Sequence, residues 1–227
     1  MQLVQRYRTI SDLPQRIPVF PLRGCILLPR TSLPLNIFEP RYLAMLDDVI
    51  RGDRLIGIIQ PVGDGGDTGS PQDRTAPLHS VGCAGRLVAF QELDDGRLVI
   101  SLTGIARFEL TGEAEVAKPY RIFGVDYRRF AADLDRKGEE DTVDRTQLLD
   151  ALRRYLGARN LEADWDAIAR SSTEQLINCL SVASPFGCEE KQALLEAKDL
   201  RTRAETLVTL AEMEIAAGDG RSGTTLQ

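Results

Sequence analysis

The chain has 227 residues, of which 28 are lysine or arginine and 34 are aspartate or glutamate, so its formal net charge at pH 7 is −6. Binding to a nucleic-acid backbone depends on basic side chains, and this acidic balance disfavours a nucleic-acid partner. Apolar residues make up 43% of the chain, which is enough for a core that needs no disulfide or metal to hold it together.

The sequence offers little for metal binding, export or membrane insertion. Its four cysteines form no C-x-x-C pair, so a zinc site would need three of them together with the single histidine, His79, from distant segments. The first residues lack the apolar stretch of a signal peptide, and no run approaches the roughly 18 apolar residues of a membrane span. We expect a cytoplasmic protein with no metal, cofactor or membrane contact, and the oligomeric state stays open.

Short apolar runs bounded by proline or glycine open the ordered part of the chain. Residues 18–29 and 33–38 carry few charges, which favours buried strands over an exposed helix. After Pro40 the apolar residues recur at the spacing of one helix face, and Gly52 marks the end of this helix. The residues expected to form the apolar face are Tyr42, Leu43, Leu46, Val49 and Ile50.

The following segments predict a series of strands and one polar loop. Residues 55–61 are almost all apolar and suit a strand buried on both faces, whereas residues 62–77 are rich in glycine, aspartate and serine and predict a loop. A turn at Asp94-Asp95-Gly96 predicts a hairpin, and Gly104 is expected to end its second strand. The remaining predicted strands cover residues 81–92, 97–102, 107–115 and 120–127.

A charged segment then separates this β-rich part from a helical one. Beyond residue 143 the apolar period is helical, with a capping box at Ser172 and Gln175 and another helix start at Ser184-Pro185. The charged segment offers little to bury and predicts a linker, and the small polar residues at the end predict a disordered tail. The expected divisions are a β-barrel lobe at 1–127, a linker at 128–144, a helical lobe at 145–217 and a tail at 218–227.

Six motifs in the chain recur together in one known family. They are Val19-Phe20-Pro21-Leu22, Leu28-Pro29, Leu33-Pro34-Leu35, Ile37-Phe38-Glu39-Pro40-Arg41-Tyr42, Leu55-Ile56-Gly57-Ile58-Ile59-Gln60-Pro61 and Gly104-Ile105-Ala106-Arg107-Phe108. They resemble the LON domain, the substrate-recognition domain at the N-terminus of ATP-dependent Lon proteases, which also occurs as a stand-alone bacterial protein. The resemblance implies an α+β fold: a bent antiparallel or mixed β-barrel of the PUA-like type with one short helix, followed by an all-helical lobe.

The resemblance also implies a binding function without catalysis. No G-x-x-x-x-G-K-[ST] motif for nucleotide phosphates occurs in the chain, and no local signature of a catalytic cysteine is present to work with His79. We expect a protein that is not an enzyme, lacks the ATPase and protease domains of Lon, and binds peptide or unfolded-protein segments. The alternative is a scaffold or adaptor for one specific folded protein, and a hydrolase is a remote third reading.

The expected place of binding is a groove between the two lobes. A bent barrel has strand edges to which an extended peptide can add, while nearby apolar pockets accept its side chains. The same side chains can instead belong to the core, and Arg41 is more readily explained by pairing with Glu39 than by ligand binding. The residues expected to line the groove are Cys25, Ile26, Leu27, Leu28, Phe38, Arg41, Tyr42 and Phe186.

Overall fold

The chain divides into two compact units, Met1–Arg136 and Lys137–Gln227. Every strand that the structure describes lies in the first unit, whereas the second unit is described as helices. This order agrees with the predicted α+β arrangement. The structure is a computed structural model that describes residues 7–63, 75–135, 143–159 and 162–222, with side chains as far as residue 217.

The first unit is a mixed sheet with one α-helix inserted after the second strand. Its strands are arranged in the order β2-β5-β4-β3-β1-β6, and β5 also pairs with β6. Strands β1 and β3 are parallel, and the other pairs are antiparallel. The pairings therefore run from β5 through β4, β3, β1 and β6 back to β5, and β2 is attached to the outside of β5. The bounds are β1 Arg16–Pro21, β2 Ser32–Ile37, α1 Pro40–Arg51, β3 Leu55–Ile59, β4 Val81–Glu92, β5 Leu98–Glu113 and β6 Ile122–Asp126.

The core of the first unit surrounds the ring of Phe108. All five residues of β3 are buried, as the apolar run at 55–61 predicts. A Cβ added to Gly57 or Gly82 would lie 2.9 or 2.6 Å from Phe108 Cζ, so these two glycines make room for the ring. Tyr127 meets the same ring edge-on, with 6.3 Å between centroids.

The loop between β1 and β2 rests on a floor of two paired glycines. Gly85 of β4 lies opposite Gly104 of β5, and a Cβ added to either would come within 2.6 Å of Leu27 or 2.0 Å of the Leu28 carbonyl oxygen. The prediction that Gly104 ends its strand is therefore wrong. Strand β5 continues through Gly104, with a bulge at Ile105, because glycine is what the close approach of the loop requires.

Helix α1 begins and ends where the sequence predicts. Pro40 occupies the first turn after the N-cap residue Glu39, and Gly52 is the C-cap. Its buried side chains fix it against the sheet, and the ring of Tyr42 stacks on Phe20 with 4.1 Å between centroids. The buried residues are Tyr42, Met45, Leu46 and Val49, which include three of the five predicted ones.

Part of the predicted linker is a folded element of the first unit. Arg128–Leu134 forms a 3-10 helix in which Phe130 is buried. Both carboxylate oxygens of Asp133 accept hydrogen bonds from the Arg107 side chain, at 2.8 and 2.9 Å, and the Arg107 main-chain N–H also donates to Asp133. The first unit therefore extends past residue 127, and residues 136–142 of the predicted linker lie outside the described residues.

The second unit consists of helices whose starts are partly as predicted. The Ser172 hydroxyl accepts a hydrogen bond from the Gln175 N–H and caps a helix, whereas the helix expected at Ser184-Pro185 begins three residues later, after Gly187. The last helix runs into the predicted tail, and residues 223–227 lie outside the described residues. The bounds are α2 Arg145–Ala158, α3 Trp165–Arg170, α4 Thr173–Ala183, α5 Cys188–Glu196 and α6 Leu200–Ser222.

Basic side chains satisfy the carbonyl groups at three helix ends of this unit. Arg145 donates to the carbonyls of Ile168 and Ser171 at the end of α3, Lys191 donates to Val182 in α4, and Arg203 donates to Leu194 in α5. A cation at the C-terminus of a helix also interacts favourably with the helix dipole. Among the described helices, none has the length and apolar character needed to cross a membrane.

Candidate functional site

Most of the sequence-predicted binding residues belong to the core of one unit or the other. Ile26, Leu27 and Leu28 are at most 1% exposed, because their loop lies on the glycine floor. Tyr42 is buried in the first unit, and Phe186 is buried in the second, 6.2 Å from the Tyr155 ring. These five side chains stabilise the fold in this structure.

The other three predicted residues are at least partly accessible. Cys25 is half-buried, and Phe38, which follows β2, is 64% exposed. Arg41 forms an ion pair with Glu39 at 2.8 Å, and its guanidinium carbon lies 4.6 Å from the centroid of the Tyr42 ring. The pair with Glu39 is the structural role that the sequence favours for Arg41. The structure thus places seven of the eight residues in the first unit, and the groove between the lobes stays a prediction.

A different surface of the first unit has an unpaired strand edge. Strand β4 pairs with β3 only as far as Arg86, which lies opposite Leu55, the first residue of β3. Arg54 adopts a left-handed conformation, φ 60°, and turns the chain away before β3 begins. From Val88 to Glu92, β4 therefore pairs with β5 alone among the described strands, and all five residues are exposed. We call residues 88–92 the β4 edge.

The register of the hairpin determines which main-chain groups point outward at the β4 edge. The Leu93 N–H donates to the Arg97 carbonyl at 2.8 Å, and the next residues, Glu92 and Leu98, lie directly opposite each other. Hydrogen-bonded and non-hydrogen-bonded pairs alternate along antiparallel strands. The N–H and C=O groups of Glu92 and Phe90 therefore face away from β5, where a further strand can bond to them.

The side chains at the β4 edge combine one large apolar ring with a carboxylate. Phe90 is 52% exposed, and Val88, the extra residue at a bulge, is 39% exposed. Phe90 and Glu92 lie two residues apart and hence on the same face, opposite Ile100 and Leu98 of β5. This face is the continuation of the buried one, because Leu87 and Leu102 of the preceding row are core residues.

Of the acidic side chains around the β4–β5 turn, some are paired with a basic side chain and others are not. The Arg97 side chain donates to Asp95 at 2.7 Å, and this hydrogen bond lowers the pKa of Asp95 below its usual value. Neither Glu92 nor Asp94 forms an ion pair with a residue that the structure describes. The end of the β4 edge that lies nearest the turn therefore carries net negative charge, because of these three acidic residues only Asp95 is paired with a described cation.

The free edge of β2 is less suited to accept another strand. The same alternation directs the main-chain groups of Pro34 away from β5, so the missing N–H of this proline falls on the outer edge. Prolines and short strands are common devices against edge-to-edge pairing. The β4 edge has no proline, which distinguishes it from the edge of β2.

A cavity in the first unit is a weaker candidate than the β4 edge. Its volume is about 800 Å³, and it lies between the N-terminal 3-10 helix Ile10–Asp12 and the ends of β5 and β6. Two carboxylates of its lining are already paired, Asp126 with Arg128 and Glu113 with Arg121. Both carboxylates therefore already have a counter-ion.

The sequence does not single out Phe90, because residues 81–92 predict one uniform strand. One local feature of the sequence does indicate this residue: Phe90 is an aromatic residue among small and polar neighbours, four residues before a charged turn. A strand that continues beyond the residues of its neighbour leaves such a ring partly exposed.

Comparison with known proteins connects this architecture to one class. The fold is that of Lon N-terminal domains: a crystal structure titled as a Lon N-terminal domain protein from Xanthomonas campestris matches with a TM-score of 0.61 at 21% identity, over 86% of this chain and 98% of that one. The N-terminal domain of a Lon protease from the Mycobacterium avium complex matches with a TM-score of 0.59 at 16% identity, over 87% of this chain and 98% of that one.

The sequence comparison identifies the family. Residues 16–212 match the ATP-dependent protease La (LON) substrate-binding domain, and the chain belongs to this family. It is 25% identical to a Lon protease from Flavobacterium johnsoniae over 212 residues, which are 90% of this chain and 24% of that protein. It is 26% identical to Lon protease 2 from Myxococcus xanthus over 210 residues, again 24% of the relative. The chain thus spans about a quarter of the length of these curated relatives.

Proposed function

We propose that this chain binds extended segments of peptide or unfolded protein by adding them as a strand to the β4 edge. The observation that carries the proposal is a proline-free strand edge that has no partner among the described strands and carries a half-exposed phenylalanine, in a member of a substrate-binding domain family. Main-chain hydrogen bonds to Phe90 and Glu92 supply affinity that does not depend on the sequence bound. This mode suits a protein that accepts many unfolded chains.

Phe90 acts as the apolar anchor of the bound segment. Full burial of a phenylalanine side chain contributes about 1.5–3 kcal/mol, so covering the exposed half of this ring contributes roughly 1 kcal/mol. That is about a fivefold effect on Kd. An apolar side chain of the bound segment, placed directly opposite Phe90 in the added strand, makes this contact.

The sheet of the first unit is inferred to act as a rigid platform. We infer that the closed ring of strand pairings is the PUA-like barrel expected from the sequence, since β5 is bonded to β4, β2 and β6. A closed ring leaves few unpaired edges. The free edges among the described strands are then the β4 edge and the outer edge of β2. Of these two, the β4 edge is the more accessible.

The proposed role is non-catalytic. The match to the family covers the substrate-binding domain, and the curated relatives extend far beyond the matched quarter. We propose that ATP hydrolysis and peptide-bond cleavage belong to those other parts of Lon proteases and not to this chain. Its four cysteines are free thiols, which supports the expected cytoplasmic location.

Binding of a fluorescently labelled, reduced and carboxymethylated protein, followed by anisotropy, tests the proposal. We expect Phe90→Ser to raise Kd about fivefold, and the control Val62→Ser, at an exposed valine outside the sheet, to leave Kd unchanged. Circular dichroism and thermal melting establish that both variants are folded. A loss of binding in Phe38→Ser but not in Phe90→Ser would move the site to the end of β2.

The same assay distinguishes the alternative of a scaffold for one folded partner. A strand-adding site is expected to bind several unrelated unfolded chains, which compete with one another for it. Binding of none of them, together with one stoichiometric folded partner recovered from the cell, would favour the scaffold.

A further inference from the structure

We propose that Glu92 makes the β4 edge selective for segments that carry a lysine or arginine two residues away from their apolar anchor. This inference rests on the proposed function and specifies the sequences that the edge prefers. It follows from the order of side chains along β4 and from the charges next to them.

The spacing follows from the geometry of a strand. Phe90 and Glu92 lie on the same face, two positions apart along β4, with Gln91 between them. A segment added along the β4 edge places one residue directly opposite each of them, with Cβ atoms about 4.5–5.5 Å apart. The two residues of the segment are then also two positions apart, and the one between them faces the other side of the sheet.

The charge preference follows from the surroundings of Glu92. Glu92 is exposed, and it has no ion pair with any residue in the described part of the chain. Its cross-strand neighbour is Leu98, which offers no charge. In the turn, Arg97 is held by Asp95, whereas Asp94 adds a second uncompensated carboxylate. A basic residue opposite Glu92 gains a cross-strand ion pair, and an acidic one meets repulsion.

The occupant is therefore an extended segment of the pattern apolar-x-basic or basic-x-apolar, the order depending on strand direction. One exposed cross-strand charge pair changes affinity by about two- to fivefold. Replacing the lysine of such a segment by glutamate turns attraction into repulsion, and the expected difference is roughly three- to tenfold. The difference is expected to shrink at high salt, since the pair is exposed.

Three 12-residue peptides test the inference directly. They share one apolar anchor in a polar, otherwise uncharged context and differ in their single charged residue: lysine two positions after the anchor, glutamate at that position, or lysine moved to the position next to the anchor. Each has a counterpart with the reversed order, so both strand directions are covered. Anisotropy titrations at 50 and 300 mM salt are made with the parent chain, Glu92→Lys and the control Asp94→Asn.

We expect the parent to bind the lysine peptide roughly three- to tenfold more tightly than the glutamate peptide at low salt, and the shifted lysine to lose most of this advantage. Glu92→Lys should reverse the preference, whereas Asp94→Asn, which removes only a neighbouring charge, should weaken it without reversing it. Equal affinities in the parent, or an unchanged preference in Glu92→Lys, would overturn the inference while leaving strand addition intact. If no peptide binds the parent, or if sedimentation shows that the parent is a dimer and that Phe90→Ser is a monomer, the proposed function itself fails.

Discussion

At the residue scale, glycines decide how closely the loop before β2 approaches the sheet. Gly85 and Gly104 face each other in the β4–β5 pairing; the Leu27 side chain lies against Gly85, and the Leu28 carbonyl lies against Gly104. Protein interiors are close-packed, so even one added methyl group at such a position clashes with its neighbours. The burial of Leu27 depends on this contact, which explains why an apolar loop residue is core here and not a binding surface.

Gly104→Ala should be strongly destabilising. The added Cβ would lie 2.0 Å from the Leu28 carbonyl oxygen, a backbone atom that can yield only if the loop moves. We expect the free energy of unfolding, measured with urea, to fall by more than about 2 kcal/mol. The matched control is Gly112→Ala in the same strand, where no atom lies within 4 Å of the added Cβ and the effect should be neutral or stabilising by up to about 1 kcal/mol. Equal effects of the two substitutions would contradict the close-approach account.

Tyr127 should make stability sensitive to alkaline pH. Burial raises the pKa of its phenol, because the phenolate would lose its hydration in the interior. The folded-state pKa is thus above the unfolded value of about 10, so the contribution is fully present below pH 10 and is lost as pH rises. Above pH 10 the parent should lose up to about 1.4 kcal/mol per pH unit more than Tyr127→Phe, in urea unfolding followed at several pH values. Parallel pH profiles would show that Tyr127 does not carry this dependence.

At the scale of elements, charged residues hold the 3-10 helix Arg128–Leu134 on the sheet. Asp133 is 8% exposed and Arg107 4% exposed, and the guanidinium also lies 4.3 Å above the Phe130 ring. A second arginine, Arg30, donates to the Asp133 carbonyl at 2.7 Å. A buried pair of this kind needs its hydrogen bonds satisfied, and here the carboxylate receives three from Arg107.

Asp133→Ala should release this element. Removal of one partner leaves Arg107 buried without its counter-charge, which typically costs about 3–5 kcal/mol. Amide hydrogen exchange should accelerate in residues 128–134, and the urea midpoint should drop. Glu109→Gln is the control, because Glu109 pairs with Arg129 in the open and is expected to cost less than about 1 kcal/mol. If the two variants lose similar stability, the buried pair does not fix the 3-10 helix.

The elements that the sequence predicts well are those with local signals. Pro40 and Gly52 bound α1, and Ser172 caps α4, because capping depends on residues within one turn. The sequence does not predict the 3-10 helix, because the partner of Asp133, Arg107, lies 26 residues away along the chain. A charge run gives no indication of such a distant partner.

The candidate site was harder to predict for a related reason. An apolar run such as residues 26–28 has the same appearance whether it lines a groove or fills a core, and the glycine floor that buries it comes from distant strands. The β4 edge arises from a difference in strand length: β3 begins at Leu55 while β4 continues past Arg86. Relative strand lengths depend on tertiary pairing, which a single sequence does not display.

At the scale of the whole molecule, the chain combines a sheet unit and a helical unit, and the proposed site uses the first alone. The bound segment is proposed to pair with the β4 edge, the part of β4 that extends beyond β3, where the main-chain groups of Phe90 and Glu92 point outward. Each unit has its own buried residues, so a substitution in one is expected to leave the other folded. The helical unit therefore serves as an internal reference for binding measurements.

The most direct measurement is residue-resolved amide hydrogen exchange of the intact chain with and without a saturating unfolded polypeptide. Strand addition should slow exchange at the outward-facing N–H groups of Phe90 and Glu92, while Gln91, already bonded to β5, changes little. The amides of the helical unit should keep their rates. Protection confined to the helical unit, or unchanged exchange at Phe90 and Glu92 under saturation, would contradict the account.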